Sequence, residues 1–108
     1  MSSPKRCMLL GKWRITQSDI WDKDYLDLVE PAYILLEEDG HGEVALGALN
    51  ARLDLEYGKA IVFFTWAGFD EMDEVSGSGS AKLNDDGTIS IEFAYQNGDE
   101  AELIARPW

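Results

Sequence analysis

The stretch "TISIEFAY", residues 88 to 95, alternates polar and apolar side chains along its length. One face carries Ile89, Ile91, Phe93 and Tyr95, and the other carries Ser90, Glu92 and Ala94. A period of two residues is the pattern of a β-strand that buries one face. The segments "ARLDLEY", residues 51 to 57, and "EAELIAR", residues 100 to 106, repeat the pattern on at least one face. The sequence therefore predicts an all-β fold.

Glycine-containing turns separate the alternating segments. Asp39-Gly40, Asp86-Gly87 and Asn97-Gly98 suit hairpins because glycine adopts positive φ at little cost, and Tyr57-Gly58-Lys59 is a further candidate. About eight strands are expected, over residues 9–17, 32–38, 42–48, 51–57, 59–66, 76–83, 88–96 and 100–107. Short connections of this kind predict an up-and-down antiparallel barrel, in which the first strand closes onto the last and leaves no exposed edge.

The pattern changes once, in "SDIWDKDYLDLVEP", residues 18 to 31. Ser18 or Asp19 can cap a helix and Pro31 can end one, while the apolar residues between them fall near helical spacing. We therefore expect one short helix near residues 19 to 29, between the first and second strands.

Chain length and composition fit one folded domain. The chain has 108 residues, of which 45% are hydrophobic and 28% are charged, and this size can bury a core without disulfides or metal. We expect a flexible N-terminal tail over residues 1–8 and a single barrel domain over residues 9–108. The only cysteine, Cys7, lies in that tail, where it is either an incidental residue or a reactive thiol. The apolar run of residues 8–10 is too short for a signal peptide, so the cytoplasm is the expected location.

The net charge restricts the possible partners. With 21 acidic and 9 basic residues, the chain has a formal net charge of −12. Affinity for nucleic acid comes largely from cations that neutralise phosphates, so direct nucleic-acid binding is not expected. The same argument disfavours an anionic membrane surface. A basic protein partner fits this charge.

Catalytic and metal-binding patterns are missing from the sequence. The only histidine, His41, lies between two glycines in "EDGHGE", a turn in which we expect it to be exposed. One histidine and one cysteine cannot form a zinc site, and no serine lies in a nucleophile turn. The run "GSGS", residues 77 to 80, lacks the lysine and the helix start of a phosphate-binding loop. We therefore expect a protein that is not an enzyme and that uses no cofactor, no metal and no catalytic residues.

The segment "AGFDEMDEVSGSGSA", residues 67 to 81, places four acids within five positions, Asp70, Glu71, Asp73 and Glu74. It follows "IVFFTW", residues 61 to 66, whose near-continuous hydrophobicity indicates either a strand buried on both faces or a barrel wall covered by the helix. We expect the acids on a long loop and the glycine and serine run at the start of the next strand, rather than in a linker. A solvated charge run, a protein-binding patch and a calcium site all stay open for the acids, although the EF-hand spacing is missing.

Aromatic residues are frequent, with four tryptophans, four tyrosines and four phenylalanines. We expect Trp13 and Trp66 in the core, while Trp21 and Tyr25 can lie across the mouth of the barrel as part of an interaction surface. Strands of about seven residues make a short barrel, whose interior is filled by side chains or holds one small ligand. The candidate pocket residues are Trp66, Gly79, Ala81, Phe93 and Leu103.

The first strand contains "LLGKWRI", residues 9 to 15, with Gly11 and Trp13 in a Gly-x-Trp pattern. This pattern resembles that of the lipocalin-like (calycin) barrels, in which the tryptophan closes one end of the barrel. In those barrels an arginine near the end of the last strand often packs across the tryptophan, and Arg106 stands at the matching place in "IARPW". The resemblance implies that Gly11, Trp13 and Arg106 close this barrel.

Over nearly its whole length the chain is also similar to a family of small bacterial proteins that carry "GRWRI", "WD", "W.G.DE.D..SG.G" and a final "GD". Here these motifs stand at residues 11–15, 21–22, 66–79 and 98–99. The resemblance brings no catalytic residues and no substrate with it.

Two classes of function follow from these observations. The first is a non-enzymatic interaction protein, such as an inhibitor, immunity or antitoxin-like protein, that presents an acidic face to a basic partner; a DNA mimic is its extreme form. Its interaction residues would be Asp70, Glu71, Asp73 and Glu74, with Trp21 and Tyr25 beside them. The second is a binder of a small apolar ligand inside the barrel.

Overall fold

A computed structural model of the chain describes residues 9 to 96 and 98 to 108. The predicted tail over residues 1–8, with Cys7, and Asn97 of one predicted turn lie outside the described residues. The described chain forms a closed barrel of eight antiparallel strands in sequence order, with one short helix between the first two. The predicted fold class is therefore confirmed.

The strands are bounded as follows: β1 (Gly11–Ser18), β2 (Tyr33–Leu36), β3 (His41–Leu46), β4 (Leu49–Tyr57), β5 (Ile61–Asp70), β6 (Asp73–Leu83), β7 (Ile89–Tyr95) and β8 (Glu100–Pro107). The helix α1 (Lys23–Leu26) follows β1. Turns occur at two of the predicted dipeptides, where Gly40 and Gly87 have φ of 88° and 87°. Within the described residues, no helix is long and apolar enough to span a membrane.

The barrel closes through β1, which pairs with β2 on one side and with β8 on the other. Trp13 stands opposite Ile34 of β2 and Pro107 of β8. The pairing with β8 shifts register between Ile15 and Gln17, a β-bulge that increases the local twist of the strand. Every strand therefore has two hydrogen-bonded neighbours, and the sheet has no free edge.

The interior is a packed apolar core. Alternate residues of each strand point inward, as in β5, where Val62, Phe64 and Trp66 are buried. The ring of Trp66 stacks on that of Phe93 with centroids 4.5 Å apart, and the Phe64 ring lies 6.3 Å from Phe93. Dispersion contacts at this density stabilise the barrel from within. Trp13 is also buried, and its Nε1–H donates to the Leu9 carbonyl at 2.9 Å.

The glycines of β6 make room for these rings. A Cβ atom added at Gly79 would overlap the carbonyl oxygen of Glu92 and come within 2.7 Å of the Phe64 ring. At Gly77 it would overlap the Ala94 carbonyl oxygen and come within 2.9 Å of the Trp66 indole. The glycine and serine run is therefore strand, as the sequence predicted, and it passes close to aromatic side chains inside the barrel.

Two predictions about the neighbouring segments are wrong. The acids at residues 70–74 do not lie on a long loop, because β5 extends to Asp70 and β6 begins at Asp73, which leaves a two-residue turn. Strand β5 is not buried on both faces either, since Phe63 and Thr65 are exposed on its outer side. The physical reason is that α1 packs beside β1 at the end of the barrel and does not cover β5.

The helix is also shorter than expected. It has four residues rather than the span of residues 19 to 29, and its N-cap is Asp22, whose side chain accepts a hydrogen bond from the Tyr25 amide at 2.8 Å. Ser18, one of the predicted caps, instead accepts from the amides of Ile20 and Trp21 at 3.2 Å. These two hydrogen bonds form a turn before the helix and delay its start.

We expect Gly79→Ala to lower the free energy of unfolding by about 1 to 3 kcal/mol, because the added methyl group overpacks the contact with Glu92 and Phe64. Urea unfolding monitored by tryptophan fluorescence measures the change. Ser78→Ala is the matched control, because Ser78 is exposed on the same strand. Equal stability of the Gly79→Ala variant and the wild-type chain would contradict the packing described for β6.

Candidate functional site

Acidic side chains concentrate at one end of the barrel. In an up-and-down barrel the β1–β2, β3–β4, β5–β6 and β7–β8 connections share an end. Its described residues are 19–32, 47–48, 70–74, 96 and 98–100. We call this region the acidic end. It carries Asp19, Asp22, Asp24, Asp27, Glu30, Asp70, Glu71, Asp73, Glu74, Asp99 and Glu100, against a single lysine, Lys23. Like charges at this density create a negative potential that attracts cationic groups.

The four acids singled out from the sequence lie on the β5–β6 hairpin. Asp70 stands directly opposite Asp73, and Glu74 stands opposite Phe69. Glu71 occupies the turn with a φ of 58°, and its amide donates to the Ala48 carbonyl at 3.3 Å. Carboxylates directly opposite each other destabilise a strand pair. The hairpin therefore holds its charges in fixed positions at some cost to its own stability.

Trp21 and Tyr25 lie across this end, as the sequence predicted. Their rings stack with centroids 5.7 Å apart, and Trp21 also contacts the edge of Tyr95 at 6.4 Å. Tyr95 in turn meets Trp66 of the core at 5.0 Å. The aromatic contacts are thus continuous from the interior to the surface of the acidic end.

Tyr25 is held in place by the β3–β4 turn. Its ring packs so closely on Gly47 that a Cβ atom there would overlap it, and the Gly47 amide donates to the Leu26 carbonyl at 2.9 Å. The turn also accepts the hydrogen bond from Glu71. Helix α1, the β3–β4 turn and the β5–β6 hairpin are therefore joined into one surface.

Burial, and secondarily the charge of Asp70, raises the pKa of two tyrosine hydroxyls at the acidic end. Burial raises the pKa of Tyr95 to about 12, and the charge of Asp70 adds to the effect. The pKa of Tyr25 is also raised, first by burial and then by Asp70. The Asp70 carboxylate is thus close enough to act on both hydroxyls.

An ion pair that the sequence analysis missed fixes the loop that carries α1. Arg14 of β1 donates to both carboxylate oxygens of Asp27, at 2.8 and 2.7 Å. The same arginine donates to the Ala32 carbonyl at 3.0 Å, and the Ala32 amide donates to Asp27 at 3.0 Å. The Arg14 hydrogen bonds lower the pKa of Asp27 to about 2. The partners are 13 positions apart in the sequence, so no local sequence pattern marks the pair.

The expected contact between Arg106 and Trp13 is not formed. Arg106 stands opposite Arg14 and is exposed on the outer face of the wall, whereas Trp13 points into the core. A different cation–aromatic cluster forms around Lys12 of β1. The Lys12 ammonium lies 4.5 Å from the Tyr33 ring centroid and 4.2 Å from that of Trp108. Gly11 begins β1 with a φ of 121°.

The candidate pocket residues come together in the interior, but they pack against one another. Trp66, Ala81, Phe93 and Leu103 are all buried, and Gly79 borders the Phe64 ring. His41 is exposed, as expected, and lies 3.4 Å from the Asp54 carboxylate. Within residues 9–96 and 98–108, no group of three or more His, Cys, Asp or Glu side chains is arranged to hold a metal ion.

Exposed apolar side chains accompany the acids. Met72 at the tip of the β5–β6 hairpin is 94% exposed, and Phe69 beside it is 55% exposed. The β1–β2 connection adds Ile20, Leu28 and Val29, each more than half exposed. Apolar groups rimmed by charged residues are typical of protein-binding surfaces.

We expect Asp27→Asn to lower the free energy of unfolding at pH 7 by roughly 1 to 3 kcal/mol, because it leaves the Arg14 guanidinium without its carboxylate in a partly buried site. The pKa of Asp27 is lower in the folded chain than its ordinary value of 3.8, so its contribution is fully present above about pH 5 and is lost as the pH falls towards 2.

Urea unfolding at neutral pH and near pH 2 measures this dependence. The difference between wild type and Asp27→Asn should shrink towards zero at the lower pH. Asp24→Asn is the matched control, since it removes the same charge from an exposed position on α1. A difference that is independent of pH would show that the ion pair does not anchor this loop.

Comparison of the chain with protein-family models, with curated proteins and with solved structures finds no match in any of the three. The barrel architecture agrees with the lipocalin-like resemblance in shape alone. Membership of that group, or of the family of small bacterial proteins, stays a prediction.

Proposed function

We propose that this chain is a non-enzymatic interaction protein of the inhibitor, immunity or antitoxin type, which binds a basic protein partner in the cytoplasm through its acidic end. The observation that carries the proposal is the concentration of carboxylates around exposed apolar side chains on three joined connections. Charge provides attraction and orientation, and apolar contact provides the burial that stabilises a complex.

The apolar contacts centre on the β5–β6 hairpin. Met72 and Phe69 project from a strand pair whose backbone is held by the ladder between β5 and β6. Burial of such side chains against a partner contributes roughly 25 cal/mol for each Å² of apolar surface removed from water. A partner that presents an apolar patch flanked by lysine or arginine would match both features.

The acidic end is also preorganised. The Arg14–Asp27 pair, the packing of Tyr25 on Gly47 and the hydrogen bond from Glu71 to Ala48 fix the connections before any partner arrives. A surface that is already ordered loses less conformational entropy when it binds. This rigidity supports a role in recognition.

The alternative, a small apolar ligand inside the barrel, has less support. The side chains expected to line its pocket fill the interior themselves, and the Trp66 and Phe93 rings stack face to face. A ligand would have to displace these aromatic contacts, each worth about 0.5 to 1.5 kcal/mol beyond the area that it buries.

Neutralising the hairpin acids tests the proposal. We expect the combined variant Asp70→Asn, Glu71→Gln, Asp73→Asn and Glu74→Gln to capture less of a basic partner in pull-down experiments and to lose most of the salt sensitivity of capture. Its stability should stay the same or rise by roughly 0.2 to 1 kcal/mol, because the repulsion between Asp70 and Asp73 is removed.

The matched control neutralises four acids elsewhere, with Glu37→Gln, Glu38→Gln, Glu56→Gln and Asp85→Asn, and carries the same net charge. Equal loss of capture in both variants would mean that net charge alone attracts the partner. If the free energy of unfolding of the hairpin variant fell by several kcal/mol, the carboxylates would instead be needed to stabilise the fold.

A further inference from the structure

The outer wall formed by β5, β6, β7 and β8 contains an open groove of about 670 Å³. Its lining includes Phe63 of β5, Ser78 and Ser80 of β6, Glu92 of β7 and Glu102 of β8. We call it the wall groove. It lies on the side of the barrel rather than across its end, and it is therefore a different surface from the β5–β6 hairpin tip.

The strand register orders the groove into an apolar edge, a small polar floor and an acidic edge. One row across the four strands runs Phe63, Ser80, Glu92 and Glu102, since each residue stands directly opposite the next. The neighbouring row runs Thr65, Ser78, Ala94 and Glu100. Adjacent strands lie about 4.8 Å apart, so the two edges of the groove are separated by roughly 14 Å.

The small residues of β6 produce the depth. Packing of the rings inside the barrel requires Gly79 on the inner face, but it places no such demand on the outer face. On that face Ser80 stands between Phe63 and Glu92, which are both larger, and Ser78 stands between Thr65 and Ala94. The Phe63 ring is 53% exposed. The trough beside this ring is therefore a property of the outer surface and is not explained by the core.

The acidic edge is electrostatically unfavourable in the free chain. Glu92 stands directly opposite Glu102, and like charges in that position destabilise a strand pair. The Asp19 side chain accepts a hydrogen bond from the Glu102 amide at 2.8 Å, which places a third carboxylate at the same edge. Lys82 stands two positions from Ser80 on β6, but the described residues show no ion pair between it and either glutamate.

We propose that the wall groove binds a basic amphipathic segment of a partner protein, with an apolar side chain against Phe63 and lysine or arginine side chains against Glu92 and Glu102. A cation at the acidic edge would relieve the repulsion between the opposed glutamates, and an apolar side chain would cover an exposed aromatic ring. The acids exclude a nucleic-acid backbone as the occupant.

The inference does not depend on the function proposed for the acidic end. The two surfaces are neighbours, because Asp19 and Glu100 belong both to the acidic end and to the lining of the groove. A partner large enough to cover the hairpin could extend a segment into the groove. The experiment must therefore separate the two sites.

The probe is a short synthetic peptide with a Leu-Lys-Lys repeat, and its comparison peptide carries serine in place of leucine. Titration of the isotopically labelled wild-type chain by NMR requires no variant. We expect the leucine peptide to shift the amides of Ser78, Ser80 and Ala94, and the serine peptide to bind about tenfold more weakly, because it lacks the apolar contact.

Two groove variants then test each edge. We expect Glu92→Gln with Glu102→Gln, and separately Phe63→Ser, to weaken binding of the leucine peptide by about tenfold. Glu37→Gln with Glu38→Gln is the control of equal charge, and Trp108→Ser is the control that removes an exposed aromatic ring outside the groove lining. Phe69→Ser is measured separately, because Phe69 belongs to the hairpin surface and reports peptide bound there. Both controls should bind within about twofold of wild type, and thermal unfolding confirms that each variant folds.

Three results would overturn the inference. If the Glu37→Gln, Glu38→Gln variant bound the leucine peptide as weakly as the Glu92→Gln, Glu102→Gln variant, net charge alone would explain the weakening. That result would overturn the proposed groove site. Weakening by Phe69→Ser without weakening by Phe63→Ser would place the peptide on the hairpin, which overturns the groove and leaves the proposed function standing. Failure of the leucine peptide to shift any groove amide would also overturn the inference.

Discussion

Closure of the barrel through the β1–β8 pair is the constraint on which the rest of the structure depends. Without it, β1 and β8 would each present an unpaired edge, and the meander would be an open sheet. The pair carries Trp13 inward and Arg14 outward from adjacent positions. One strand thus supplies both the indole that fills an end of the core and the guanidinium that anchors the α1 connection.

The small residues of β6 have different neighbours on its two faces. Large rings at Phe64 and Trp66 are accommodated by glycine on the inner face of β6, and the serines that alternate with those glycines form the floor of the wall groove. Because the interior is filled, we propose the outer surface as the place where a partner binds. The acidic side chains make the charge of that surface negative, and the exposed rings and aliphatic groups give it apolar area.

Local patterns in the sequence predicted most of the fold, because a period of two and glycine turns are local features. Interpretation of residues 67–75 as a loop was wrong, since clustered acids resemble a solvated loop, whereas a strand requires only small or apolar groups on its inner face, such as Gly68 and Val75. The Arg14–Asp27 pair depends on how the connection that carries α1 folds back onto β1, and the wall groove depends on which residues the strand register brings side by side. Composition and residue spacing do not predict which distant residues come into contact.

The barrel is filled by its own side chains, and we propose that the protein functions through its outer face. Native mass spectrometry of freshly purified protein distinguishes a filled barrel from one that holds a ligand. We expect the mass of the polypeptide alone, or of the polypeptide with a retained protein. A stoichiometric small molecule that stays with the folded chain and leaves on denaturation would contradict it, because it would place a ligand where the structure has packed side chains.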